Sequence, residues 1–420
     1  VTVAADLTGR GAPELPDDMR AAVVDGTREI VDELIAVRRD LHAHPELGRA
    51  EVRTSAVVAA RLSAAGLHPA LLPGGVGVVC EIGTGAGGVT DGGDSPLLAL
   101  RADLDGLPVP DEKDVPYRST VAGRSHACGH DVHTAIVLGA GLLLAGAASR
   151  GSLPGRVRLI FQPAEELTPG GAVDVLGTGA LDGVQRIFCV HCDPRSDVGT
   201  VGLRVGPITG SADHVQVRLT GPGGHTARPH LTADLVYALS KVATDVPAVL
   251  SRRVDPRSGL SVVWGHVAAG TAPNAIPREG VLSGTVRALD ASVWDRAPQV
   301  VEQAVRAVVA PYGVGCEVAY TRGVPPVVND AGSTRLLAGA AFAVVGPDSV
   351  FETEQSLGGE DFAWYLAKVP GALARLGVRR PGDTTERDLH QGSFDVDERA
   401  IGVGVRLLSA AALLGLLSLS

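Results

Sequence analysis

Apolar residues recur at helical spacing over 17–40, where Ala22, Ile30, Leu34, Ile35 and Val37 share one side. Pro45 and Gly48 stop that helix within His42-Ala43-His44-Pro45-Glu46-Leu47-Gly48. A second helix is expected over 54–65, closed by Gly66. Three short apolar runs follow, each a buried strand leading into polar residues. Leu97-Leu98-Ala99-Leu100-Arg101 leads into Asp103-Leu104-Asp105. Val157-Arg158-Leu159-Ile160-Phe161 leads into Gln162-Pro163-Ala164-Glu165-Glu166, and Ile187-Phe188-Cys189-Val190 into His191. A long apolar helix, 132–147, lies between the first two strands. Strands alternating with helices imply an α/β fold with a mostly parallel sheet. Ligands in such sheets sit at the carboxyl ends of the strands. Asp103, Asp105, Glu165, Glu166 and His191 should therefore converge on one edge.

The texture changes after Pro207. Val215, Val217 and Leu219 alternate with polar residues, as in a strand with one wet face. A helix over 232–250, strands near 261–268 and 280–289, a helix over 292–311 and a strand near 316–321 complete a β-α-β-β-α-β order. That order predicts an antiparallel sheet with two helices, an α+β insert of the ferredoxin-like kind. The expected domains are 17–209, the insert 210–322, and a return to the first architecture over 323–420. In the last part, helices are expected over 332–345 and from about 397, the latter capped by Asp395 or Asp397. A short strand is expected at 374–377. Residues 1–16 read as a loose lead-in and 84–95 as a hairpin loop.

Composition narrows the function. The net charge of −10 argues against nucleic acid and against anionic membrane, both of which attract clustered Lys and Arg. Five cysteines in 420 residues do not form a disulfide framework. Cys189 in its apolar run is expected as core. The apolar stretch Leu407–Leu419 is too short to span a bilayer. The chain begins without a signal-peptide pattern, and a soluble, cytoplasmic protein is expected.

The candidate chemistry centres on His126-Ala127-Cys128-Gly129-His130-Asp131-Val132-His133. Three histidines, a thiol and a carboxylate fall in eight residues of a chain with 12 His and 5 Cys. A metal ion or a polar surface loop would both account for the cluster. The donors expected at the sheet edge are Cys128, His130, Glu166, His191 and His390. They outnumber the three protein ligands of one catalytic zinc, and suit two divalent ions roughly 3.5–4 Å apart. Glu165 is then a spare carboxylate for proton transfer, although paired acids in a helix's first turn are common without any such role. His42 and His44, two apart on an extended segment, make a poor ligand pair. They are expected in structural or supporting roles, as are His126 and His133.

Six motifs together resemble the M20 metallopeptidase superfamily, closest to its amidohydrolases of N-acyl amino acids. They are His42–Gly48, Arg101-Ala102-Asp103-Leu104-Asp105-Gly106-Leu107-Pro108, His126–Asp131, Gln162–Glu166, Gly223-Gly224-His225 and Gly358-Gly359-Glu360-Asp361-Phe362. They stand in family order, and the resemblance covers about residues 28 to 415. The resemblance implies a zinc-peptidase-like catalytic domain and an inserted lid and dimerisation domain. It implies that Cys128, His130, Glu166, His191 and His390 bind two ions, manganese or zinc. It makes Glu165 the general base and Asp105 the residue that orients a ligand imidazole. It assigns His225 and Asn274 to the substrate carbonyl, His225 reaching the partner's site in a homodimer. Thr226-Ala227-Arg228 departs from the family's usual Gly-Ala after that histidine, which bears on the substrate pocket. The implied substrate is a small N-acyl amino acid. An M20-type dipeptidase or carboxypeptidase, and a metal-binding scaffold without catalysis, are the alternatives.

Overall fold

The computed structural model describes residues 14–83 and 95–419. The expected lead-in and hairpin loop, 1–16 and 84–95, lie outside them for nearly all of their length. Packing divides the chain into two compact units. One comprises the chain to Gly206, Val328–Glu354 and the chain from Trp364. The other comprises Pro207–Val327 and Gln355–Ala363.

The first unit contains α1 (Asp17–Ala43), α2 (Val52–Ala64), β1 (Ala70–Leu71), β2 (Val78–Ile82), β3 (Leu97–Asp103), α3 (His130–Ser149), β4 (Arg156–Gln162), β5 (Arg186–Asp197) and β6 (Val201–Leu203). The second contains β7 (Ala212–Thr220), α4 (Leu235–Arg253), β8 (Ser261–Ala269), β9 (Glu279–Arg287), α5 (Ala291–Val309) and β10 (Gly315–Val324). The first unit resumes with α6 (Ala331–Val344), β11 (Val350–Glu352), β12 (Gly371–Arg379) and α7 (Arg399–Leu417).

The first unit is built on one sheet of order β1-β2-β4-β3-β5-β12-β6-β11. Its centre, β4-β3-β5-β12, is parallel. β2 joins β4, and β6 joins β12, in antiparallel fashion. All seven residues of β3 are buried, because neighbours flank it on both edges and helices cover it. Helices α1, α3, α6 and α7 pack together beside the sheet. α1 carries the one-sided stripe Val23, Leu34, Val37, Leu41 into that layer. α3 and α7 are apolar almost all round and sit inside it. By length and composition both could cross a membrane, but 61% and 89% of their apolar windows are buried within the fold. The stretch expected to be too short to span is thus the end of a 19-residue core helix. Its N-cap is Glu398, and the expected cap Asp397 accepts the Arg399 N–H from one residue earlier.

His191 does not end its strand. β5 runs on to Asp197 because β12 pairs with it beyond the point where β3 stops, Arg375 lying opposite His191 and Leu376 opposite Cys192. His42 likewise belongs to the last turn of α1, not to an extended segment, because the helix continues to Ala43.

The second unit is an antiparallel sheet of order β8-β9-β7-β10 with α4 and α5 packed on it. β7 alternates as expected: Val215, Val217 and Leu219 are buried between exposed neighbours. This unit extends beyond 210–322 at both ends, since β10 continues to Val324 and 355–363 pack with it.

Candidate metal centre and catalytic carboxylates

Asp105 follows β3, and Glu165 and Glu166 follow β4, whose ends pair in register at Asp103 and Gln162. The two loops are joined through one carboxylate. Asp105 Oδ1 accepts the Glu165 N–H (3.1 Å), and Oδ2 accepts the Glu166 N–H (3.0 Å). Asp105 also receives His130 Nδ1–H, through its carbonyl oxygen (2.9 Å) and Oδ1 (3.2 Å). This fixes the tautomer of His130 and leaves Nε2 bare and turned inward. Among the described residues no carboxylate or backbone group bonds that buried atom, which lies near Cys128.

Cys128 and His130 flank Gly129, the N-cap of α3. Gly129 has φ +86°, and a Cβ there would lie 2.8 Å from Cys192 Sγ. Glycine is therefore required for the chain to turn so tightly between the two side chains. His191 donates Nδ1–H to the Cys192 carbonyl (2.8 Å), which presents Nε2 to Cys128 Sγ at 3.5 Å. Burial, helped by Arg375, pushes the His191 pKa well below its ordinary value, so the ring is a neutral donor. His390 stands in the left-handed region (φ +63°), with its N–H tied to the Ala127 carbonyl (2.8 Å). Its Nε2 lies 3.2 Å from Glu166 Oε1. The Glu166 carboxylate raises the His390 pKa above its ordinary value.

The five expected ligands thus fall into two overlapping groups. Cys128, His130 and His191 form one, and Cys128, Glu166 and His390 the other, each with its donor atoms within 4.8 Å of one another. Tetrahedral zinc with bonds near 2.3 Å to sulfur and 2.0–2.1 Å to nitrogen separates those donors by about 3.5 Å. The Cys128–His191 separation matches this. Burial pushes the Cys128 thiol well above its ordinary pKa, and a cation at this point is what would hold it as thiolate. The inward Nε2 of His130, the Glu166 carboxylate beside His390 and the mixed N, O and S donors all fit a divalent ion. Glu165 lies beside them, its Oε2 3.9 Å from His130 Nε2.

Asp103, expected at the same edge, closes β3 beside Asp105. It is fully buried, and accepts from Arg101 Nη1 (2.7 Å) and His133 Nδ1 (2.7 Å). Burial disfavours its charge, but His130, His133 and Arg101 outweigh this and hold its pKa well below the usual carboxylate range. His133 cannot ligate, because Nδ1 is given to Asp103 and Nε2 accepts the Cys192 N–H (2.9 Å). His42 is also fully engaged, with Asp131 (2.7 Å) and Asp111 (3.2 Å). Arg38, buried and 2.7 Å from Asp131, completes that group. Its only sequence signal is a charge on the buried stripe of α1. His126 is buried with neither ring nitrogen bonded among the described residues, and burial lowers its pKa to about 4.

His225 and Asn274 belong to the second unit. The short strand Gly224–His225 pairs with Ala275–Ile276, and the Thr226 N–H donates to the Asn274 carbonyl (3.3 Å). Both side chains are exposed, as is Arg228.

The model of peptidase family M20/M25/M40 matches residues 99–414, which is most of the chain. The chain belongs to that family. A dinuclear metal-binding peptidase of family M20 from Bacillus subtilis superposes with a TM-score of 0.80 at 33% identity, covering 93% of this chain and 99% of its own. An N-acetyl-L-cysteine deacetylase of Bacillus subtilis is 37% identical over 371 residues, 88% of this chain and 85% of that protein. A Rhodococcus jostii protein named as a glutamate–cysteine ligase is 51% identical over 377 residues. The match takes in 90% of this chain but only 46% of that longer protein. The paired donor groups of this chain suit a divalent metal centre, and the Bacillus peptidase is named as binding two metals.

Proposed function

We propose that this M20 protein is a metal-dependent amidohydrolase that cleaves the amide of N-acyl amino acids. The observation that carries the reading is the meeting of two donor groups at Cys128 Sγ, with Glu165 beside them and outside both. Divalent ions held there would supply Lewis acidity toward a carbonyl oxygen and toward water. Glu165 does the proton work: its carboxylate takes a proton from the attacking water and delivers it to the leaving nitrogen. Asp105 fixes Glu165 and Glu166 through their peptide N–H groups and sets the ring of His130. His225 and Asn274 carry the substrate-carbonyl role in this reading, supported by the Asn274 carbonyl meeting the Thr226 N–H beside the His225 ladder.

N-acylcysteine is the substrate to test first. One relative is named for deacetylating N-acetyl-L-cysteine and another for ligating glutamate to cysteine, so both names concern cysteine. The mixed donor set accommodates manganese or zinc, and the thiolate favours zinc. All five cysteines are free, which supports a reducing, cytoplasmic setting. A homodimer through the second unit is supported by the edge strand β8, where Val263 and Val267 stand 63% and 66% exposed.

Glu165→Gln is expected to lower kcat on N-acetylcysteine by about 10²–10⁴-fold with ion content unchanged. Wild-type turnover by that variant would remove Glu165 from the mechanism. Faster hydrolysis of dipeptides than of acyl-amino acids would make the protein a peptidase instead.

A further inference from the structure

Glu51 opens α2 at the N-cap position, yet its side chain does not cap the helix. Glu46 does that work. Its two carboxylate oxygens accept the N–H groups of Arg53 (3.0 Å) and Thr54 (2.8 Å) and the Thr54 hydroxyl (2.9 Å). Glu51 is thereby released to reach across 113 positions of sequence. Its Oε1 accepts the N–H of Ala164 at 2.7 Å, and the residue is fully buried. Ala164 immediately precedes Glu165 and stands at φ +57°, in the left-handed region that a residue with a Cβ enters at a cost.

The rest of the segment grips the same place. The Gly106 N–H, one residue beyond Asp105, donates to the Glu46 carbonyl (2.7 Å), and Leu47 bridges Gly106 in parallel register. Gly48 packs so closely that a Cβ would lie 3.1 Å from Ala164 Cα and 3.0 Å from Leu167. Residues 46–51 therefore hold both strand-end loops, the one carrying Asp105 and the one carrying Glu165 and Glu166. Three successive peptide N–H groups, of Ala164, Glu165 and Glu166, end on two buried carboxylates, Glu51 and Asp105.

We infer that Glu51 is a positioning residue for the reaction: it holds the Ala164 peptide in its left-handed turn and so aims Glu165. The inference rests on Glu165 being the base. Burial, opposed by its hydrogen bonds, raises the Glu51 pKa to about 7. An acid kept in such a place against that cost is consistent with a local task that a smaller apolar residue could not perform.

The test compares Glu51→Gln, whose amide oxygen can still accept from Ala164, with Glu51→Met, which fills the volume and accepts nothing. Glu165→Gln is the reference, and all are assayed on N-acetylcysteine with ion content measured. The expected result is that Glu51→Met loses about 10–100-fold in kcat with KM within about threefold, while Glu51→Gln stays within about fivefold of wild type. Equal losses in the two variants, or none in Glu51→Met, overturn the inference. Full activity of Glu165→Gln overturns the underlying mechanism instead. Should Glu51→Met fail to fold, hydrogen exchange on the native protein decides. An Ala164 amide protected like β4 upholds the clamp, and one exchanging like a surface loop refutes it.

Discussion

Cys128 is the side chain on which both donor groups depend. Its thiol is costly to ionise where it is buried, so its usefulness comes only with a cation beside it. The imidazoles around it divide by what their second nitrogen does. His130 and His191 each spend Nδ1 on a neighbouring oxygen and keep Nε2 for the centre. His42 and His133 spend both nitrogens and leave none. Glu51 supplies a pH signature at this scale. Its folded-state pKa is raised from 4.5 to about 7, so the fold retains a proton that the unfolded chain releases. Stability from this group is therefore present below pH 4.5 and lost as pH rises to 7. Glu51→Gln carries no such loss. Its melting temperature relative to wild type, with metal chelated from both, should be higher at pH 8 than at pH 5. A difference that does not move with pH would mean that Glu51 titrates normally.

Among the elements, the strands were the most legible. The runs at 97–101, 157–161 and 187–190 each lie in a central strand, because buried parallel strands write themselves as continuous apolar sequence. The convergence of Asp105, Glu165, Glu166 and His191 follows from strand order, a topological consequence that needs no side-chain detail. Strand ends were less legible. β5 passes through His191 because its partner β12 comes from 184 positions later (Arg375 opposite His191), and local pattern carries no mark of that pairing. The same holds for Glu51 with the Ala164 peptide and for Arg38 with Asp131, where nothing near either residue in sequence marks its partner. Gly129 shows how one position ties an element to the site. Gly129→Ala must force φ +86° on a residue with a Cβ and push that atom against Cys192 Sγ. The backbone conformation alone costs about 1–2 kcal/mol. The expected outcome is reduced stability in urea together with weaker metal retention. Unchanged retention would show that the turn is not what sets Cys128 against His130.

At the scale of the whole molecule, the second unit has an uncovered sheet edge. Among the described residues β8 pairs only with β9, and Val263 and Val267 lie open along it. If copies associate through this edge, light scattering gives twice the 42.9 kDa chain mass, and Val267→Lys lowers it to one. A wild-type monomer at assay concentration would remove the partner-site role expected of His225. The relatives frame the scale of the chemistry too: this chain matches about half of the Rhodococcus protein and nearly all of the Bacillus peptidase. Cys128 belongs to both donor groups, which together would hold two ions, and metal content per chain tests this most directly. Elemental analysis after saturation and desalting should find about two ions in wild type and about one in either His191→Ala or His390→Ala. Cys128→Ala should hold less than either. One ion in a fully active wild type, or two retained by Cys128→Ala, would contradict the shared centre.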